Sequence, residues 1–323
     1  MRVLIESWPV AGTFTISRGS KTEARVIVAE LHDAHNVGRG ECVPYARYGE
    51  SVEGVAAAIE AMAGSISGGL DRTGLQEAMP AGAARNALDC AFWDLEAKRA
   101  GKPVHALAGI APPRSLVTAF TISLGAPDTM AAAARKAAGY TLLKVKLGGT
   151  QDPACIKAVR SAAPKSELIV DANEGWTPEN LVENLAACAV AGVTLVEQPL
   201  PVGQDTALAT LTHPIPVCAD ESVHDRASLR ALLGKYDAIN IKLDKTGGLT
   251  EAFALADAAE GMDFALMVGC MISTSLAIAP ALLVAQRARV IDLDGPLLLA
   301  RDRSDGLLYE GNLVHPSSPT LWG

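Results

Sequence analysis

Short apolar runs rich in β-branched residues recur through the last two thirds of the sequence, and helical segments separate them. Eight such runs occur, at 116–123, 142–147, 167–173, 193–199, 215–221, 238–244, 264–270 and 289–296. Segments at 130–139 and 181–192 have the alanine-rich composition of helices that lie between strands. Alternation of this kind predicts a parallel sheet, and eight strands predict a (β/α) barrel.

A doubly wound open sheet is the alternative for alternating strands and helices. Such a sheet would need a glycine-rich phosphate turn after an early strand, and neither G-x-G-x-x-G nor G-x-x-x-x-G-K-[ST] occurs in this chain. We therefore assign residues 111–299 to the barrel.

The first part of the chain has a different pattern. Residues 1–110 contain alternating segments such as 24–31, which predict an antiparallel sheet, and helical segments at 51–64 and 82–100. The tail, residues 300–323, is too short for a domain and is expected to fold back on the N-terminal sheet. We expect it to complete an N-terminal α+β domain.

Composition excludes several classes of partner. Hydrophobic residues make up 49% of the chain and its net charge is −8, without a lysine or arginine cluster. These values predict a sizeable core and argue against a nucleic acid or an anionic membrane as partner. No apolar run is long enough for a bilayer or a signal peptide. The six cysteines are scattered without zinc spacing, so we expect a reduced, cytoplasmic protein.

Ionisable residues end most of the predicted barrel strands. The second to sixth strands end with Lys146, Asp171, Glu197, Asp220 and Lys242, and the eighth carries Asp292 and Asp294. Successive members of the first set are about 22–26 residues apart, so each βα unit delivers one charge at a similar height. Active sites of such barrels lie at the C-terminal mouth, where strand ends converge. The pattern therefore predicts an active site built from these side chains.

The three acidic residues Asp171, Glu197 and Asp220 would repel one another in a partly dry mouth unless a cation lay among them. Oxygen ligands without histidine or cysteine suit a hard cation, and Mg²⁺ leaves coordination positions for substrate oxygens. We therefore predict one Mg²⁺ site. The alternative is that each acid caps a helix or pairs with a local arginine.

Lysines within apolar strands are the second unusual feature of the mouth. Lys144 and Lys146 interrupt LLKVKL, and Lys242 follows AINI, although lysine is rarely buried without compensation. Neighbouring positive charge lowers the pKa of a lysine, and a value of about 7–8 makes a competent general base. The lysines therefore predict proton transfer. The alternative is that each extends its ammonium group to solvent at the barrel rim.

Lys146 and Lys242 belong to the second and sixth strands, which lie on opposite sides of an eight-stranded ring. We expect them to face each other across the mouth, with the metal carboxylates on the three strands between them. A substrate held at the metal would then have an amine on each face of its reacting carbon. This geometry predicts removal of a proton from one face and its return to the other, with the metal stabilising the charge that develops.

The motifs KVK, VDAN, VEQP, ADES and INIKLDKTGG, in this order, resemble those of the enolase superfamily. The resemblance extends over essentially the whole chain. It implies an α/β fold in which an N-terminal α+β capping domain covers a modified TIM barrel of (β/α)₇β type. It also implies an enzyme with one Mg²⁺ per subunit and makes a homo-oligomer plausible.

Within the superfamily, the chain is most similar to dipeptide epimerases. The resemblance implies that Asp292 and Asp294, in DLDG, grip the free α-ammonium group of a dipeptide and that Lys144 assists its metal-bound carboxylate. Arg18, in FTISRGSKTEA, would bind a glutamate side-chain carboxylate, and Thr121 would add a polar contact.

The reaction this implies is epimerisation of the C-terminal residue, L-Ala-L-Glu to L-Ala-D-Glu, in recycling of cell-wall peptides. Lys146 would handle the proton of the L-epimer and Lys242 that of the D-epimer.

Two alternatives remain open at this point. A lyase or cycloisomerase of the same superfamily, such as the o-succinylbenzoate synthase or muconate cycloisomerase type, would use the same lysines without an ammonium anchor. A barrel that only binds a small acid would need no opposed lysines, and metal-dependent turnover would eliminate it. The aspartates of DLDG could also be turn residues before Gly295 and Pro296.

Overall fold

The computed structural model describes residues 1–323. The N-terminal region is a three-stranded antiparallel sheet in the order β1-β2-β3, followed by helices. Its strands are β1 (Arg2–Ile16), β2 (Gly19–His32) and β3 (Val37–Cys42), and its helices are α1 (Val52–Ala61), α2 (Ala63–Ser67), α3 (Arg72–Ala78), α4 (Ala83–Ala100) and α5 (Val104–Leu107). The predicted antiparallel sheet and both predicted helical segments are present, the first divided into α1 and α2. None of the helices combines the length and the apolar character needed to cross a bilayer.

Helix α4 packs directly on strand β3, and the contact depends on glycine. A β-carbon added at Gly40 would lie 2.1 Å from the carbonyl oxygen of Ala87 and 2.7 Å from the amide nitrogen of Ala91. Both atoms belong to the backbone of α4, which cannot move without disturbing the layer. The sheet and the helix can therefore approach this closely only because position 40 has no side chain.

Replacement of Gly40 by alanine is expected to lower the free energy of unfolding by about 3 kcal/mol, since the methyl group overpacks two rigid elements. Chemical denaturation followed by circular dichroism measures the change. Gly64→Ala is the matched control, because Gly64 lies in α2 with nothing within 4 Å of an added β-carbon. The control variant should be as stable as the wild type or slightly more so. Equal unfolding midpoints for the two variants would contradict this account of the interface.

The second region is a parallel barrel whose eight strands follow one another in chain order. The strands are β5 (Phe120–Ile122), β6 (Leu142–Lys146), β7 (Glu167–Asp171), β8 (Val193–Glu197), β9 (Val217–Ala219), β10 (Ala238–Ile241), β11 (Ala265–Gly269) and β12 (Val290–Asp292). The Ala119 amide, next to β5, donates a hydrogen bond of 2.8 Å to the Ile291 carbonyl in β12 and links the two ends of the sheet. The predicted barrel is confirmed.

The helices around the barrel are α6 (Pro127–Lys136), α7 (Asp152–Ala162), α8 (Pro178–Val190), α9 (Leu243–Thr246), α10 (Leu249–Glu260) and α11 (Ser275–Ala285). Helices α6 and α8 each begin three residues before the predicted segment, because Pro127 and Pro178 start them with a φ angle already suited to a helix. Short 3₁₀ segments replace α-helices after β8 and β9, at Thr206–Ala209 and Arg226–Leu232.

The run at 116–123 does not form one strand as predicted. Its first residues form β4 (Leu116–Val117), which pairs with the tail strands β13 (Tyr309–Glu310) and β14 (Leu313–Val314) in a separate small sheet. Only β5 enters the barrel. The end of the tail instead contacts the N-terminal region, where Arg39 donates hydrogen bonds of 2.7 Å to the carbonyls of Thr320 and Leu321. The tail therefore touches both regions.

Candidate active site

The barrel interior changes from apolar to charged along its axis. Seven buried residues close its lower part, namely Ala119, Leu142, Ile169, Leu195, Cys218, Ala238 and Met267. Two residues further along their strands, the same inward direction is taken by Lys144, Asp171, Glu197 and Asp220. Because alternate residues of a strand point to the same side, the charged side chains lie directly above this apolar layer, at the C-terminal mouth.

Three carboxylates meet at the centre of this mouth. Asp171, Glu197 and Asp220 are fully buried, and one oxygen from each lies within 4.8 Å of the others. Glu197 Oε2 forms no hydrogen bond, although the Lys144 ammonium group lies 2.6 Å from it. A compact set of buried carboxylate oxygens can hold a hard metal ion.

The lysines surround these carboxylates from two sides. Lys146 Nζ lies 2.6 Å from Asp171 Oδ2, and Lys242 Nζ lies 2.6 Å from Asp220 Oδ2. Lys146 ends β6 and Lys242 directly follows β10, and these two strands are separated in the sheet by β7, β8 and β9. The structure thus brings together the five residues that the sequence predicts for metal binding and proton transfer, with the carboxylates between the two amines.

The pKa values of two lysines differ from the expectation. Burial alone lowers the pKa of Lys144, but the charges of Asp292, Glu197 and Asp171 outweigh it and hold that pKa well above the usual value. Burial likewise lowers the pKa of Lys242, but the charges of Asp220 and Glu197 outweigh it and hold that pKa well above the usual value. At these two residues the neighbouring carboxylates therefore outweigh both burial and the neighbouring positive charge. Neutralisation of the same carboxylates by a cation would remove the cause, so the basicity of Lys242 is linked to occupancy of the carboxylate set.

The carboxylates themselves respond unequally to burial. Burial, followed by the charge of Asp171, raises the pKa of Glu197 to about 7. For Asp220 the neighbouring Lys242 and Lys245 outweigh burial and hold the pKa of its carboxyl well below the usual value. Glu197 is therefore the carboxylate whose negative charge is least compensated by the protein.

Two buried residues of the site were missed in the sequence analysis. Asn240 donates a hydrogen bond of 2.7 Å to Glu197 Oε1, and Lys245 Nζ lies 2.5 Å from Asp220 Oδ1. Asn240 precedes Lys242 by two positions on β10, so its inward direction follows from the period of a strand. Lys245 lies one turn after Lys242 in α9, and only the structure shows that this turn points it back into the barrel.

The remaining predicted contacts lie beside the lysines. Asp292 Oδ2 accepts a hydrogen bond of 2.6 Å from Lys144, and its other oxygen has no partner. Asp294 Oδ2 accepts a hydrogen bond of 2.7 Å from the amide of Thr121 on β5. Burial, followed by the charge of Asp292, raises the pKa of Asp294 to about 7. The two aspartates therefore form a buried acidic edge of the mouth.

The hairpin between β1 and β2 covers the mouth from the side of the cap. Arg18 lies at its tip, and Arg18 Nη2 is 2.6 Å from Glu221 Oε1. Together with the segment around Tyr45 and Tyr48, the hairpin encloses a cavity of about 630 Å³. Lys146, Lys242 and Asp294 also line this cavity. A cavity of this volume accommodates a small molecule such as a dipeptide.

A barrel whose mouth holds buried carboxylates between two lysines, beneath an α+β cap, has the arrangement of an acid–base enzyme, and its carboxylates could hold a metal ion. Sequence comparison specifies the family. Residues 1–109 match the N-terminal domain of the mandelate racemase and muconate lactonizing enzyme family, and residues 128–304 match its enolase C-terminal domain-like partner. The chain belongs to this family of the enolase superfamily, as the motifs predicted.

Similar proteins are known over nearly the full length of the chain. An L-Ala-D/L-Glu epimerase of Escherichia coli (strain K12) is 48% identical, covering 98% of this chain and 99% of its own. An N-acetyl-D-glutamate racemase of Pseudoalteromonas sp. is 45% identical, covering 92% and 95%. Both relatives are isomerases, which supports the predicted class of reaction.

A crystal structure shows the same architecture. An enolase family member from Agrobacterium tumefaciens with homology to dipeptide epimerases, with bound sodium and L-Ala-L-Glu, is 55% identical and superposes with a TM-score of 0.98. The match covers 100% of this chain and 99% of that one.

Proposed function

We propose that the protein interconverts L-Ala-L-Glu and L-Ala-D-Glu by 1,1-proton transfer at the α-carbon of the C-terminal residue. The observation that carries this proposal is the placement of Lys146 and Lys242 on opposite sides of the carboxylates, each in contact with a different one. Two bases flanking one carbon can invert it, whereas a single base would return the proton to the same face. The similarity to epimerases and racemases supports the same chemistry.

We assign one Mg²⁺ per subunit to Asp171, Glu197 and Asp220. The three side chains offer only oxygen, are buried and lie close together, which suits a hard dication. A bound Mg²⁺ supplies positive charge that stabilises the negative charge developing on the substrate carboxylate. Lys144 carries a second positive charge to the same place, because its ammonium group lies between Glu197 and Asp292.

The proton steps use the two lysines in opposite forms. For the L-epimer, the neutral amine of Lys146 accepts the α-proton and becomes an ammonium group. The ammonium group of Lys242 then donates a proton to the opposite face and becomes neutral. The reverse reaction exchanges these roles, so the enzyme must reset the two protonation states through solvent after each turnover.

Asp292 and Asp294 are assigned to the free α-ammonium group of the dipeptide. Both are buried, and their carboxylates line the cavity beside Lys144 and Thr121. An N-acylated amino acid offers no cation to this acidic edge, so burial of Asp294 opposite an acetyl group would be unfavourable. This favours a dipeptide over N-acetylglutamate as the substrate.

The cysteines support an intracellular setting. All six are free thiols, and a reducing compartment keeps them so. A dipeptide of alanine and D-glutamate belongs to the peptides of bacterial cell walls. We therefore place the reaction in the cytoplasmic recycling of these peptides.

Exchange of the α-proton in heavy water with Mg²⁺ tests the function. The wild type is expected to exchange the α-proton of L-Ala-L-Glu and to form the D-epimer, with a kcat/KM about 10- to 100-fold above that for N-acetyl-L-glutamate, since a charge-assisted contact to the ammonium group contributes about 1.5–3 kcal/mol. The measurement is proton NMR.

Asp294→Asn provides the matched variant, because the amide oxygen can still accept the hydrogen bond from Thr121. It should lower kcat/KM for L-Ala-L-Glu by about 10- to 100-fold and leave that for N-acetyl-L-glutamate nearly unchanged. Unchanged turnover of the dipeptide would favour a lyase or cycloisomerase, which needs no ammonium anchor. Faster exchange of N-acetyl-L-glutamate by the wild type would reassign the substrate.

A further inference from the structure

The chain segment that follows strand β10 contains two adjacent glycines and lies against the cap. The sequence KTGG, at 245–248, joins the one-turn helix α9 to α10. Gly247 and Gly248 have φ angles of +74° and +115°, in the left-handed region that favours glycine. A β-carbon added at Gly247 would lie 2.5 Å from Nε of Arg85, and one added at Gly248 would lie 2.4 Å from the β-carbon of Asp89. The two glycines therefore allow this turn to pack directly on helix α4 of the cap.

Arg85, on α4, holds the end of this turn. Its side chain is buried, and its guanidinium group donates hydrogen bonds to backbone carbonyls. Two of these carbonyls belong to Gly247 and Thr246, at 3.1 and 2.7 Å, where α9 ends. The other two belong to Gln76 and Met79, at the end of α3. The last carbonyls of a helix have no partner within it, and a cation stabilises this end. Arg85 thus fastens a barrel helix to a cap helix.

Two further residues of α4 contact the same segment. Asp89 Oδ2 accepts a hydrogen bond of 3.0 Å from the Thr250 amide in the first turn of α10. The residue before that helix is Gly248, which has no side chain to accept such a bond, so Asp89 supplies the acceptor from another helix. Asn86 donates a hydrogen bond of 2.8 Å to Asp244 Oδ1 in α9. Three residues of α4 therefore form what we call its docking face, namely Arg85, Asn86 and Asp89.

The backbone of Lys242 belongs to the segment that this docking face holds. The Lys242 carbonyl accepts hydrogen bonds of 2.9 and 3.0 Å from the amides of Lys245 and Thr246 in α9. The Lys242 ammonium group lies at the mouth, 2.6 Å from Asp220 Oδ2. A displacement of α9 would therefore also displace this ammonium group.

The loop after Lys146 is held in a different way. The amides of Gly148 and Gly149 donate hydrogen bonds of 2.7 and 2.9 Å to the carboxylate of Asp152, at the start of α7. Trp176 Nε1 donates a hydrogen bond of 2.7 Å to the same carboxylate. All of these residues belong to the barrel. The two lysines of the mouth thus depend on different supports.

We propose that the docking face of α4 is a positioning element for Lys242, through which the cap controls the base on one face of the substrate. The inference rests on the proposed function, since it assigns one epimer to each lysine. Damage to the docking face should therefore resemble the loss of Lys242 and leave the chemistry of Lys146 intact.

Exchange of the α-proton in heavy water with Mg²⁺ tests the proposal, because it reports on each lysine separately. Asn86→Leu keeps the size of the side chain and cannot donate to Asp244. It is expected to lower exchange of L-Ala-D-Glu, which depends on Lys242, by about 10- to 100-fold, since misplacement of a catalytic group by about 1 Å can cost about 100-fold. Exchange of L-Ala-L-Glu, which depends on Lys146, should stay within about twofold of the wild type.

Arg85→Lys is the second variant and decides the matter if Asn86→Leu does not fold. It keeps the positive charge but cannot reach the carbonyls of both helices, so it should also lower exchange of the D-epimer selectively. Thr274→Val is the matched control, because it removes a buried hydrogen bond to Glu41 at another contact between the barrel and the cap. The control should change exchange of both epimers by the same factor. Equal losses for both epimers in the docking-face variants, or unchanged exchange of the D-epimer, would overturn the proposal.

A crystal structure of Asn86→Leu separates failure of the inference from failure of the function. It should show Lys242 Nζ displaced from Asp220, with Lys146 Nζ still beside Asp171. If the wild type exchanges neither epimer but this displacement is present, the proposed function falls and positioning by α4 stands. If the wild type exchanges both epimers and Lys242 keeps its place in the variant, the epimerase activity stands and the inference falls.

Discussion

Replacement of Lys146 by methionine is expected to lower epimerisation of L-Ala-L-Glu by at least about 1000-fold while sparing proton exchange in the D-epimer. General acid–base catalysis by one positioned side chain contributes about 10²- to 10⁴-fold, and inversion requires both lysines. Lys242 remains on the face from which the D-epimer loses its proton. Because an ammonium group exchanges its protons with solvent, L-Ala-D-Glu should still take up deuterium without changing configuration.

Lys242→Met should also lower epimerisation, but in this variant only the L-epimer should exchange its α-proton. Proton NMR in heavy water follows exchange, and chiral chromatography follows configuration. Lys157→Met is the matched control, since Lys157 lies exposed on α7, outside the barrel. The assignment of two bases would be wrong if Lys146→Met still exchanged both epimers.

Replacement of Glu197 by glutamine is expected to abolish metal binding and to lower kcat for epimerisation by at least about 1000-fold. Glutamine keeps the shape of the side chain and removes the carboxylate whose negative charge the protein compensates least. A ligand that binds only the folded state stabilises it by mass action, so Mg²⁺ should raise the melting temperature of the wild type. The variant should lose this response.

The metal-free variant should itself be folded and no less stable than the metal-free wild type, because the substitution removes a charge whose burial is unfavourable. Calorimetric titration and melting curves with and without Mg²⁺ provide readouts that do not depend on turnover. Glu167→Gln is the matched control, since Glu167 begins β7 at the opposite end of the barrel and is exposed. A Mg²⁺-dependent rise in melting temperature that survived in Glu197→Gln would remove Glu197 from the metal site.

The charged residues at the barrel mouth could be predicted from the sequence for a simple physical reason. Parallel strands in a closed barrel start at one rim and end at the other, so residues at equivalent strand ends converge without any long-range information. The sequence therefore predicts that Asp171, Glu197 and Asp220 lie together. Asn240 followed the same period of two and could have been found by it.

The hairpin of the cap illustrates the opposite case. The family resemblance implies that Arg18, in FTISRGSKTEA, binds a side-chain carboxylate of the substrate, but it does not specify the neighbours of this arginine. The barrel supplies these neighbours, and Glu174 and Glu221 lie 3.2 and 2.6 Å from the guanidinium group of Arg18. Loop residues from distant parts of the chain meet here, and no periodicity relates their positions.

The pKa values of Lys144 and Lys242 also required the structure. Neighbouring positive charge was expected to lower them, but the ammonium groups of both residues lie within 2.6 Å of a carboxylate oxygen. The sign of a shift depends on which charge is nearest, and this is set by side-chain packing within a few ångströms.

The barrel could be predicted from the sequence, together with its polarity and the chemical types that meet at its mouth, because strand period and repeat length are local properties of a chain. The folded structure was needed to show how the charges pair, how Lys245 turns back onto Asp220, and how the run at 116–123 divides between the barrel and the tail sheet. Those features depend on contacts between segments that are far apart in the chain, and such contacts form only when the segments pack together.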